Sequence, residues 1–177
     1  ALTSTIIARE VPPLCHPLGA DNKLVIAPGM LSGTAASMSG RLSIGTKSPL
    51  TGIWLECYSG GSFARTLSET GWDAVVIAGA APSPVRLHVD VAGATVCPAA
   101  ELWGKDTFAV ETQLLAELGR RSGVLCIGVA GENLVPIASV MHEQAHTLGR
   151  GGLGAVFGSK RLKALTATSP GAVRSEV

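Results

Sequence analysis

The sequence predicts an α+β fold built mainly from antiparallel strands, with a few short helices. Three observations carry this. "RLSIGTK" (residues 41–47) and "IWLECYS" (53–59) alternate apolar and polar residues across the turn-forming "SPLTG", the pattern of a hairpin. "VRLHVDV" (85–91) alternates as cleanly, with Val85, Leu87, Val89 and Val91 on one face, and "ATVCPA" can pair with it across Ala92-Gly93. Helical periodicity is sustained in one segment, "KDTFAVETQLLAELG" (105–119).

Taken in order, "TSTIIAREV" reads as the end of a helix stopped by Pro12 and Pro13. "LCHPLGADN" is a loop and "KLVIAPG" (23–29) a short strand. The small, polar "MLSGTAASMSG" is a loop before the 41–59 hairpin. Ser62 can cap a short helix in which Phe63 and Leu67 share a face and which Gly71 ends. "DAVVIAGAA" (73–81) suits a buried strand. In the 105–119 helix Asp106 or Thr107 is the cap, Phe108, Leu115 and Leu118 line one side, and Gly119 closes it. "GVLCIGVAG" (123–131) reads as a strand, "NLVPIASVM" (133–141) as an extended run weakened by Pro136, and "KRLKALTAT" (160–168) as a last strand. The chain divides into a domain over 1–168, whose opening suggests that a first segment is missing, and a linker or tail over 169–177.

Bulk composition limits the function. The chain has 177 residues, 46% hydrophobic and 15% charged, enough for one globular core. A net charge of +1 gives no basic field for a nucleic-acid partner. No apolar run nears the roughly 20 residues of a membrane span, and no signal-peptide pattern opens the chain. Cys15, Cys57, Cys97 and Cys126 form no C-x-x-C pair and read as reduced thiols of a cytoplasmic protein.

Glycine is abundant, at 22 residues, and "TLGRGGLGAVFGSKRLKA" (147–164) contains G-x-G-x-x-G at Gly149, Gly151 and Gly154 around Arg150. A dinucleotide loop needs an apolar strand before it, a helix after it and an acidic residue about 20 positions on. Here the polar "HEQAHTL" stands before the loop, Gly158 interrupts the segment after it, and the next acidic residue is Glu176. Two readings stay open: an anion held by loop N–H groups and arginine, or Arg150 capping carbonyls in a turn. A faint echo runs between the halves. Asn22 matches Asn133 and Arg41 matches Arg150, each arginine following a glycine, so the chain could present two similar anion bends. His142 and His146 stand four apart and could bind a metal if helical, but no third ligand is near; His16 and His88 read as loop and surface residues.

Six ordered stretches carry a resemblance: "NKLVIAPGMLSGT", "GRLSIGTKSPLTG", "SGGSFARTLSETGWDAVVIAG", "LWGKDTFAVET", "GVAGENLVPIASVM" and "GRGGLGAVFGSKRLKA". Together the chain resembles the N-terminal domain of the tungsten-containing aldehyde ferredoxin oxidoreductases over roughly Val11 to Ala167. The resemblance implies two mainly antiparallel β-sheets with pseudo-twofold duplication, serving as a tungstopterin-binding base. The cofactor would be bis-molybdopterin with tungsten or molybdenum held by its dithiolene sulfurs, and Mg2+ bridging the two pterin phosphates. Further domains or subunits would close over it and carry a 4Fe-4S cluster. The reaction implied is oxidation of an aldehyde to a carboxylate, with electrons passing to ferredoxin or an electron-transfer subunit, and homo-oligomerisation is open. Carried over by motif, Arg41 in "SGR" would reach one pterin phosphate, Gly60 in "SGG" would offer its backbone, and Gly149 and Arg150 in "GRGG" would hold the second pterin. Two positions depart from the family. Tyr58 stands where members carry an asparagine, and a phenol is the poorer magnesium ligand. His146 stands in place of an arginine, followed by Thr147, whose carbonyl could still reach the ion. No residue here is expected to be catalytic and no iron–sulfur motif is present, so the chain alone should not turn over. A second reading is a non-catalytic pterin carrier or interaction scaffold derived from the same domain.

Overall fold

The computed structural model describes residues 2–171, so the predicted 169–177 tail lies mostly outside the described residues. The first helix, α1 (Leu2–Glu10), stops where Pro12 and Pro13 can donate no further backbone hydrogen bonds. Strands β1 (Leu24–Pro28), β2 (Leu42–Lys47), β3 (Trp54–Ser59) and β4 (Val75–Ile77) form one antiparallel sheet, ordered β3-β2-β1-β4. The second sheet contains β5 (Val85–Asp90), β6 (Gly93–Pro98), β7 (Ser122–Cys126), β8 (Val140–His142), β9 (His146–Leu148) and β10 (Leu162–Thr168), ordered β6-β5-β10-β7-β8-β9. Only β10 with β5 runs parallel among these pairings. Four more α-helices lie among the described residues: α2 (Phe63–Glu69), α3 (Thr107–Leu118), α4 (Val129–Glu132) and α5 (Leu153–Ser159). The α+β architecture with two mainly antiparallel sheets is as the sequence predicts. None of these helices is long and apolar enough to cross a membrane.

The strand period of two sorts the layers. On β1, Leu24 and Ile26 face the main core, while Val25 faces α1 with Ile7 and Val11. That core joins Leu42 and Ile44 of the first sheet to Leu125, Val140, Leu148 and Leu165 of the second, with Phe63 of α2 and Phe157 of α5. On the far side of the second sheet, Val110 and Leu114 of α3 cover Val124, Cys126 and Ala164. The edge strands β3 and β9 meet, tied by the Cys57 thiol to the Arg150 carbonyl (3.5 Å) and the Ser48 hydroxyl to the Gly151 carbonyl (2.7 Å).

Several local expectations are corrected. The 73–81 strand is only β4, an edge strand with Val76 exposed, because its apolar residues border a single neighbour. The 123–131 strand ends at Cys126 and turns into α4. Of 133–141 only the end is strand, and Leu134 takes a left-handed φ of 57°. On α3 the buried residues are Val110, Glu111 and Leu114, while Phe108 is exposed. Asp106, not Thr107, caps that helix, accepting from the Ala109 N–H at 2.8 Å. Ser62 occupies the N-cap position of α2 but its side chain does not cap the helix.

The glycine loop differs most. Gly158 does not interrupt the chain, because α5 runs straight through it. A methyl group at Gly158 would lie 1.9 Å from the Gly131 carbonyl oxygen, and one at Gly154 would lie 2.5 Å from that of Ser139. These two glycines let α5 touch the α4 backbone and the strand approach, so their spacing serves packing. Gly151 and Gly152, at φ of 62° and 79°, make the bend that precedes it.

Candidate functional site

The residues expected to hold the anion stand along β3 and the bends at its end, Arg41 and Tyr58 on its α1 face and Arg150 against Cys57 on the other. Arg41 and Ser43 are two apart on one chain, Glu56 and Tyr58 two apart on the next, and Ser43 pairs with Tyr58. All four therefore face the α1 side of the sheet. Together with Thr3 they line a hollow of about 310 Å³. Gly40, before Arg41, lies where a methyl group would come 3.4 Å from the Gly61 carbonyl, so the "SGR" and "SGG" bends touch. Nothing stands within 4 Å of the position a Gly60 side chain would take. That backbone is open to approach.

Gly149 and Arg150 follow β9, and the Arg150 backbone is held against β3 by Cys57. Both Arg41 and Arg150 are exposed. Neither guanidinium makes an ion pair among the described residues, whereas Arg65 and Arg86 do, with Glu69 and Glu117. Burial pushes the Cys57 thiol up, against a weaker opposing pull from its bond to Arg150, so it is a packing residue and not a thiolate.

Tyr58 is exposed, and its phenol is raised first by a hydrogen bond to Glu56. Burial works to raise the Glu56 carboxyl, but bonds from Ser43, Thr3 and Tyr58 outweigh it and the carboxylate stays low. Thr147 turns its hydroxyl to the Met141 sulfur at 2.9 Å.

His142 and His146 are not on a helix. They are paired across β8 and β9, with rings stacked 5.0 Å apart. His142 is fully buried, and its Nε2 meets the Ser59 hydroxyl at 2.8 Å. Its Nδ1 has no hydrogen-bond partner among the described residues. His146 Nε2 lies 3.4 Å from Glu143. Glu143 also accepts from the Ser62 N–H and hydroxyl, so the turn is joined to the "SGG" bend. Gly61, at φ 86°, is required here. A methyl group would lie 2.7 Å from His142 Cε1 and 2.8 Å from a Glu143 oxygen.

Sequence reasoning missed Glu143 and Glu111. Glu111 is 3% exposed, and its two carboxylate oxygens accept the N–H groups of Glu143 (2.7 Å) and Gln144 (2.9 Å). The available signal was a carboxylate beside Val110 and one turn before Leu114, inside the buried stripe of a helix.

Burial lowers the His142 pKa, partly offset by Glu143 and reinforced by His146. A depressed folded-state value makes the unfolded chain the better proton binder between that value and 6.5. Stability is thus retained above about pH 6.5 and falls as the pH drops below it. Chemical denaturation at pH 7.5 and 5.5 will show this loss, and His142→Gln will flatten the slope; an equally steep slope in the variant would contradict it.

No cluster of three or more His, Cys, Asp or Glu side chains able to hold a metal occurs among the described residues. The family model for the N-terminal domain of aldehyde ferredoxin oxidoreductase matches residues 1–169. A tungsten-containing aldehyde ferredoxin oxidoreductase of Thermococcus kodakarensis is 41% identical over 161 residues, covering 90% of this chain and 27% of its own. The WOR-like subunit of an aliphatic sulfonate oxidoreductase of Pyrococcus furiosus is 32% identical over 168 residues, covering 88% of this chain and 27% of that protein. Among solved structures, the BamBC active-site complex of benzoyl-coenzyme A reductase, in complex with 1,5-dienoyl-CoA, aligns with a TM-score of 0.91 at 33% identity. It covers 95% of this chain and 26% of that one. The chain therefore spans about a quarter of the length of each of these relatives.

Proposed function

Since the chain belongs to the N-terminal domain family of the aldehyde ferredoxin oxidoreductases, we propose that it is the base on which a tungsten- or molybdenum-bearing bis-pterin cofactor lies. The enzyme it serves oxidises aldehydes to carboxylates. The observation that carries this reading is the pair of guanidinium groups, Arg41 and Arg150, that make no ion pair among the described residues and whose backbones flank β3, Arg41 on the α1 face and Arg150 against Cys57 on the other. The donor set fits two anionic phosphates. Each arginine can fork onto phosphate oxygens, and the Gly60 backbone is open to a ligand. Gly149 adds an exposed backbone beside Arg150.

When bound, the cofactor would supply the two-electron redox chemistry. This chain's residues fix its position. Arg41 would hold one phosphate and Arg150 the other. His146, 3.4 Å from Glu143, would contribute a further donor, and Thr147 would offer its backbone. Tyr58 would be a poor magnesium ligand, because a phenol coordinates that ion less well than a carboxylate or an amide carbonyl.

The remaining domains or subunits would cover the metal and carry the 4Fe-4S cluster, passing electrons to ferredoxin or a comparable acceptor. The four free thiols of this chain suit the reducing cytoplasm. Elemental analysis of the whole protein that contains this chain tests the reading. Stoichiometric tungsten or molybdenum is expected, and its absence from protein purified without oxygen and with both metals supplied would overturn it.

A further inference from the structure

We propose that Glu111 is a positioning residue for the cofactor bend, a role that rests on the function proposed above. Glu143 and Gln144 both take left-handed backbone conformations, at φ of 51° and 52°. Two consecutive non-glycine residues in that region cost the chain conformational energy, and no glycine or asparagine relieves it here. What holds the turn is a carboxylate from another element. Glu111 projects from α3 and accepts both turn amides, 2.7 Å and 2.9 Å away. It is buried, and no cation pairs with it among the described residues. Its charge is balanced by the two N–H groups it receives.

The consequence reaches the site through Glu143. Once the turn is set, the Glu143 carboxylate takes the N–H and hydroxyl of Ser62, next to Gly60-Gly61. The same turn brings His146 opposite His142 and packs His142 against Gly61. A carboxylate with no contact to the ligand thus sets the geometry of the bend that receives it. A shift of a fraction of an ångström there is enough to weaken charge-assisted hydrogen bonds to phosphate.

The test compares wild type with Glu111→Gln, Glu111→Ala and the double variant Glu111→Ala/Gln144→Gly, each in the whole protein. Hydrogen exchange of the Glu143 and Gln144 amides reads the clamp, and bound tungsten plus molybdenum reads the site. Glu111→Ala is expected to speed exchange at both amides at least about tenfold and to lower metal content at least severalfold. Glu111→Gln keeps one acceptor oxygen and should fall between. Adding Gln144→Gly supplies a residue that adopts the turn unaided, so metal content should recover while the amides stay fast. Unchanged exchange in Glu111→Gln overturns the clamp. Fast exchange with undiminished metal overturns the positioning role, as does a double variant that recovers no metal although it melts with the wild type. Wild-type protein without metal would instead defeat the cofactor reading and leave the exchange result standing.

Discussion

Gly158→Ala is expected to destabilise the domain by about 3 kcal/mol or more, a drop of about 6–12 °C in melting temperature for a chain of this size. The added methyl would meet the Gly131 carbonyl oxygen at 1.9 Å. The obstacle is backbone, which cannot swing aside as a side-chain end can. Gly131 is confined in turn, since a methyl there would lie 2.9 Å from the Gly154 carbonyl. Helices α4 and α5 would have to separate, opening the main core around Val156 and Phe157. Gly60→Ala is the matched control. Its side chain meets nothing within 4 Å and its φ is not in the left-handed region, so its melting should stay within about 1 kcal/mol of wild type. Thermal unfolding followed by circular dichroism separates the two. A Gly158→Ala protein that melts with the wild type would contradict the account of the glycine-rich stretch.

The second large effect lies at Lys163. Its side chain is 0% exposed and pairs with Glu132, which is 4% exposed. Lys163 also donates to the Lys105 carbonyl at 2.8 Å, and both Glu132 oxygens accept the Gly104 N–H, at 3.0 and 2.9 Å. Lys163→Met leaves a buried carboxylate with no cation, and about 3–5 kcal/mol of stability should be lost. Lys163→Met/Glu132→Gln removes both charges and keeps an acceptor for Gly104, so it should recover most of that loss. Urea titration of the two single variants and the double gives the coupling. Losses that simply add would show that the pair does not act as a unit.

What could be read from the chain was mostly local. The β2–β3 and β5–β6 hairpins come from alternation across turn residues, and the α3 cap from Asp106 two residues before Phe108. Harder to read were features whose cause lies elsewhere in the chain. Gly158 is a poor helix former on its own, and only its contact with Gly131 explains why it stands inside α5. The Glu143-Gln144 turn has no turn-forming residue, because its support comes from Glu111, 32 and 33 positions away. Residues 133–139 look strand-like by composition, yet two backbone bonds, Val135 N–H to Ala130 and Ala138 N–H to Val135, fold them into turns. The echo between halves likewise lives in sequence more than in local form: Asn22 precedes a strand whereas Asn133 caps α4, and Arg41 leads into β2 whereas Arg150 leads towards α5. For the site, the motif resemblance supplied the candidate residues. The structure adds that Glu143 joins the His142–His146 turn to the Gly60-Gly61 bend.

The most direct measurement is the tungsten and molybdenum content of the whole protein in wild-type form, in Arg41→Ala, in Arg150→Ala and in the double variant. Both side chains are exposed and make no ion pair among the described residues, so their loss should leave the melting of the protein prepared without cofactor unchanged. Each single variant should retain less metal, and the double variant should lose at least about tenfold, as removal of two charge-assisted phosphate contacts requires. A double variant that folds normally and holds as much metal as the wild type would contradict the claim that this chain cradles the cofactor through Arg41 and Arg150.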